Sequence, residues 1–131
     1  MIFVDTSFWI AYYNIRDLQH GDAVELLRRS AGTQLVTTNH IRGETWTFLR
    51  RRTDYPLAMR FLDRLEHSTQ VRTVFVSERH EGEAVKWLRR HDERPYSYVD
   101  ATSFAVMRAM HIRDVLGYDA DFVAAGFRRL N

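Results

Sequence analysis

Four carboxylates, Asp5, Glu44, Asp100 and Asp119, stand at positions where an acid can do chemistry. Asp5 follows the apolar triplet Ile2-Phe3-Val4, which is too short for a helix and shows no polar alternation, so it reads as a buried strand. Thr6 and Ser7 come next, and then an apolar helical pattern begins. Asp119 repeats the arrangement: a short apolar strand (Val115–Tyr118), an acid, then a helix. In an open parallel sheet, ligands bind in the crevice outside the carboxyl ends of the strands, and both acids are expected there. Glu44 lies three residues after Ile41 and four before Phe48, which predicts a place on the buried stripe of its helix. Asp100 is expected on the side of Ser103, Phe104 and Met107. Each acid also has an ordinary reading. Asp5 and Asp119 can be helix caps, Asp100 completes a capping box from Ser97, and Glu44 can pair with Arg42 or a later arginine. Asp121 could do the work of Asp119 two residues on.

Carboxylates gathered at one place repel, and some are forced to protonate. A divalent cation removes that conflict. The chain has no cysteine, and its six histidines show no ligand spacing near the acids. Oxygen-only donors suit Mg²⁺ or Mn²⁺, ions that support in-line displacement at phosphorus. There is no P-loop, no G-x-G-x-x-G and no G-x-S-x-G, so nucleotide switching and serine hydrolysis have no signal. A receiver-type phosphoacceptor domain also gathers acids at strand ends. It fits less well, because Glu44 and Asp100 are placed on helices and no lysine follows a late strand.

The elements that must position these acids alternate along the chain. Helices are predicted over Thr6–Tyr13, Asp22–Ser30, from a Thr38 or Asn39 cap to the Arg50–Arg52 run, Leu57–His67 behind an Asp54-Tyr55-Pro56 start, Glu78–Arg90 capped by Ser77, Ser97–Met110, and from Asp119 to about Gly126. Between them, Leu35-Val36, Val71–Val76 and Val115–Tyr118 read as strands, with Phe127–Asn131 as a possible edge strand. The pattern predicts one α/β/α domain over residues 1–131, three layers around a short, mostly parallel central sheet.

The composition agrees. The 131 residues are 45% hydrophobic and can bury one substantial core. The absence of a basic leader and of any long apolar run predicts a cytoplasmic protein with no membrane contact. Net charge is only +2, yet every basic residue except Lys86 is arginine, the side chain suited to bidentate phosphate contacts; codon bias explains the same preference.

The ordered set Val4-Asp5-Thr6-Ser7, Glu44, Asp100-Ala101-Thr102-Ser103-Phe104 and Val115–Phe122 resembles the PIN domain ribonucleases, in particular the VapC-like toxins of toxin–antitoxin pairs, over essentially the whole chain. The resemblance implies a Mg²⁺- or Mn²⁺-dependent endoribonuclease acting on single-stranded or looped RNA. It also implies a homodimer and a small antitoxin that places a basic side chain among the acids. By position, Asp5, Glu44, Asp100 and Asp119 resemble the family's metal-binding catalytic acids, with Asp121 as a further metal ligand. Ser7 and Thr6 resemble the hydroxyls that support them. Gly117 departs from the family, which usually has threonine there; the lost hydroxyl predicts weaker metal binding beside Asp119, which Asp121 could offset. Tyr96 and Tyr98, flanking Ser97 before Asp100, are candidates to stack on an unpaired RNA base, with packing at the sheet edge as the alternative. A PIN-like scaffold that binds RNA or protein without cleaving is the competing function, and a solitary RNA-processing nuclease without antitoxin is another.

Overall fold

The computed structural model describes all residues, Met1–Asn131. Five strands, β1 (Ile2–Val4), β2 (Leu35–Thr38), β3 (Val71–Val74), β4 (Asp114–Leu116) and β5 (Arg128–Arg129), form one sheet in the order β3-β2-β1-β4-β5. Every pairing is parallel, so the sheet is fully rather than mostly parallel, and the tail does add its edge strand. Seven helices connect the strands: α1 (Thr6–Tyr13), α2 (His20–Arg29), α3 (Asn39–Arg52), α4 (Tyr55–His67), α5 (Glu78–Arg90), α6 (Tyr98–Ala109) and α7 (Ala120–Ala124). Helix α1 packs on α2 and α3, and α3 on α4; α6 packs on α5 and α7. No helix is long and apolar enough to cross a membrane.

The helix starts follow the local chemistry. Asp5, Thr38, Asp54, Ser77, Ser97 and Asp119 each accept a backbone N–H in the first turn of the helix they cap, which satisfies a donor that has no intrahelical partner. Helix α2 begins two residues earlier than expected, at His20, through a Gln19 that makes no side-chain cap. Strand β2 runs on to Thr38 because Thr37 and Thr38 are fully buried and Thr37 donates its hydroxyl to the Val4 carbonyl. β4 is shifted toward its start and ends before Gly117.

The sheet carries a core that includes Phe3, Phe8, Phe61, Phe104 and Phe122, all essentially inaccessible to solvent. Helix α6 is buried from Asp100 through Met107. The strand order reverses between β1 and β4: from β1 the chain steps to β2 and β3 on one side, and from β4 to β5 on the other. That switch point is where a parallel sheet opens a crevice for ligands.

Candidate active site

Asp5 and Asp119 leave the carboxyl ends of the two strands that border the crevice. β1 and β4 pair with Val4 opposite Leu116, and the Asp5 N–H donates to the Leu116 carbonyl at 3.0 Å. Asp100 reaches the same place from the first turn of α6. A hollow of about 360 Å³ is lined by Asp5, Glu44, Asp100, Asp119 and Asp121, together with Thr6, Ser7 and Ser97. Carboxylate oxygens of Asp100, Asp119 and Asp121 lie within 4.8 Å of one another.

The cap readings and the gathering of acids prove compatible. Asp5 Oδ2 accepts from the Ser7 backbone N–H at 3.2 Å and from the Ser7 hydroxyl at 2.8 Å. The same hydroxyl oxygen accepts from the Tyr118 N–H at 2.8 Å, tying the start of α1 to the β4–α7 link. Asp100 accepts from the Ser97 N–H, its capping-box partner, at 3.1 Å. Asp119 accepts from the Asp121 N–H at 2.9 Å. A cap uses one or two lone pairs of a carboxylate and leaves the others to face the hollow.

Burial makes these charges costly. Asp5 is 4% exposed and Asp100 7%. Burial pushes the Asp5 carboxyl up to about 6, against the hydrogen bonds from Ser7, and the charge of Asp119 adds to the rise. Asp100 is driven to about 7, first by burial and then by the charges of Asp5 and Asp119, with the Ser97 N–H opposing. Asp119 is raised as well, mainly by burial; the Asp121 N–H opposes the rise, the Asp121 carboxyl adds to it and Arg94 opposes it.

Glu44 corrects the expectation drawn from its spacing. It is exposed, because the buried face of α3 is Ile41, Thr45 and Leu49, and Glu44 lies on the flank of that stripe. It forms no ion pair with Arg42 or any other residue and stands on the rim of the hollow. Gly117 also reads differently in three dimensions. A Cβ there would sit 3.1 Å from Asp5 Cβ and 3.5 Å from Ser7 Oγ, so the missing side chain leaves the room in which the Asp5–Ser7 pair sits. The Thr6 hydroxyl is buried without a hydrogen-bond partner in the wall of the hollow, a polar group still owed one.

Tyr96 packs edge-on against Trp87 and Phe104, so its ring serves the α5–α6 interface. Tyr98 keeps 44% of its surface exposed and donates its hydroxyl to Glu81. Arg94 was not foreseen. From the α5–α6 loop its Nε and Nη2 both lie 2.8 Å from Asp121 Oδ1, making it the one cation paired to this cluster. Only its place in a charged loop just ahead of Pro95 hinted at it.

The donor set, oxygen throughout and mostly carboxylate, fits a hard divalent cation. The PIN domain family model matches residues 2–128. The "23S rRNA-specific endonuclease VapC20" of two strains of Mycobacterium tuberculosis is 50% identical over 127 residues, covering 97% of this chain and 95% of the relative. The crystal structure of M. tuberculosis VapC20, described as a sarcin-ricin loop cleaving toxin, superposes with a TM-score of 0.90 at 48% identity, covering 97% of this chain and 96% of that one. With the acids at the switch point and these matches over nearly its full length, the chain belongs to the PIN domain family and, within it, to the VapC-type endonuclease toxins.

Proposed function

We propose that this protein is a Mg²⁺- or Mn²⁺-dependent endoribonuclease toxin, folded as one domain over residues 1–131, that acts in the cytoplasm on a structured ribosomal RNA loop. The observation that carries the metal is the hollow shared by Asp5, Asp100, Asp119 and Asp121, in which carboxylate oxygens of the last three lie within 4.8 Å of one another. Gathering buried carboxylates raises the cost of ionising them, and a cation among them removes that cost. The likeness to VapC20 supports the rRNA loop as substrate.

Asp5, Asp100 and Asp119 would hold the ion, with Glu44 closing the rim. Asp121, paired with Arg94, is the outer acid of the set. A divalent cation there supplies Lewis acidity toward a phosphodiester. Ser7 fixes the rotamer of Asp5 through two hydrogen bonds, and Ser97 fixes Asp100. The Thr6 hydroxyl can hydrogen-bond a group that enters the hollow. Tyr98 has an exposed ring that an unpaired base could stack on. A small antitoxin and a second copy of the chain are the expected protein partners.

Purified protein with Mn²⁺ should cut an RNA carrying the sarcin-ricin loop, and EDTA or Asp5→Asn should stop it. Cleavage that survives both would remove the metal-centred reading and leave a scaffold, or a contaminating nuclease, in its place.

A further inference from the structure

A groove of about 710 Å³ runs between α5 and α6 and shares no lining residue with the acidic hollow. Its α5 wall carries Arg79, Glu83, Lys86 and Arg90, spaced four, three and four residues apart and so on one helical face. Its α6 floor is made by Ala101, Ala105 and Ala109, with Arg108 beside them. The alanines keep the floor low and the long basic side chains stand above it.

The charges here lack partners. Lys86 faces Glu83 at 3.2 Å and His91 faces Glu93 at 2.7 Å, but Arg79, Arg90 and Arg108 form no ion pair. Arg108 is held instead by aromatic faces, its guanidinium 4.3 Å from the centre of the Trp87 ring and 5.1 Å from that of Phe127, and by one hydrogen bond from its Nη2 to the Ala125 carbonyl at 3.3 Å. Cation–π contacts position a guanidinium without neutralising it. An anionic occupant is therefore called for. A folded protein partner would bring an apolar core to its interface, yet none of the chain's exposed large apolar residues lines this groove. Nucleic-acid interfaces have the opposite character, strongly positive and polar.

We propose that the α5–α6 groove docks the phosphate backbone of the RNA substrate outside the hollow where cleavage takes place; this rests on the nuclease reading above. α6 joins the two sites, since Asp100 lines the hollow and Ala101, the next residue, lines the groove. From Ala101 to Ala109 the helix rises about 12 Å, so the groove can follow a short run of RNA backbone.

The test is the double variant Arg79→Glu/Arg90→Glu, both at exposed positions, against a charge-matched control, Arg29→Glu/Arg60→Glu, on α2 and α4. The readout is the affinity of a fluorescein-labelled RNA hairpin in EDTA, where nothing is cut, as salt is varied. The groove double should bind at least about tenfold more weakly at low salt, with the log–log salt slope reduced by about 1.5–2. The control should lose less than a third of that slope. An Mn²⁺ titration and a thermal melt confirm that the groove double is folded. Equal losses in both doubles, or unchanged affinity in the groove double, overturn the proposal. So does a groove double whose only change is its sedimentation, which would assign the face to a protein contact. The nuclease reading stands or falls separately, on Asp5→Asn and EDTA.

Discussion

Ser7 is one hydroxyl with two obligations. It donates to the buried Asp5 carboxylate and accepts from the Tyr118 N–H, each at 2.8 Å. Removing it leaves a buried acceptor and a backbone donor short of partners, a change worth about 1–3 kcal/mol. Ser7→Ala should therefore lower the melting temperature measurably and, because Asp5 loses its fixed orientation, weaken Mn²⁺ binding by about 10–100-fold. An Mn²⁺ affinity equal to wild type by calorimetry would show that Asp5 is oriented by its backbone alone. Arg94 works in the opposite sense. It is part-exposed, so its pair with Asp121 adds little to the fold. Yet it places a positive charge beside acids proposed to hold a cation. Arg94→Gln should bind Mn²⁺ several-fold more tightly while melting within a few degrees of wild type. Weaker binding in that variant would mean that Arg94 holds Asp121 in a ligating position.

At the scale of elements, the pairing of β1 with β4 decides what position 117 can be. Val4 lies opposite Leu116, so the residues that follow, Asp5 and Gly117, come off the two strands side by side. Gly117→Ala would put a Cβ 3.1 Å from Asp5 Cβ, and one strand end must give by a few tenths of an ångström. A displacement of that order at Asp5, one of the acids proposed to hold the ion, should cost about tenfold in Mn²⁺-dependent cleavage. Gly117→Thr should do no better, even though it supplies the hydroxyl usual in the family. If threonine raises activity, Asp5 has slack the packing does not suggest. The same comparison shows what could be read from the chain alone. The caps at Asp5, Thr38, Asp54, Ser77 and Ser97 were legible because capping is a local matter of side chain and first turn. The meeting of Asp5 with Asp119 was legible because both follow a parallel strand. Glu44 was misplaced on its helix face, since Ile41, Thr45 and Leu49 centre the buried stripe about 100° away from it. A single apolar neighbour on each side does not locate a stripe. Arg94 and the crowding at Gly117 were invisible for another reason: both depend on contacts between segments distant in sequence, Arg94 with Asp121 and Gly117 with Asp5.

Across the whole molecule the buried acids set how stability varies with pH, and a bound ion should reverse that dependence. Asp5 and Asp100 have carboxyls raised from 3.8 to about 6 and about 7, so between those values the folded chain holds more protons than the unfolded one. Stability then falls as pH rises through that window and levels off once both forms are ionised. The metal-free protein is expected to melt higher at about pH 5 than at about pH 8. Asp5→Asn keeps an acceptor for Ser7, removes a charge whose burial costs on the order of 3 kcal/mol, and should stabilise the metal-free protein at the higher pH. A divalent ion acts on the same groups with the opposite pH dependence, because it competes with protons for the carboxylates. At a hundred times its dissociation constant it adds about 3 kcal/mol, several degrees of melting temperature for a domain of this size. That increment should be present at pH 8, small at pH 5 and absent from Asp5→Asn at either. Scanning calorimetry with and without Mn²⁺ at the two pH values reads all of these. An ion increment that is equal at both, or that survives in Asp5→Asn, would place the bound metal somewhere other than the crevice between β1 and β4.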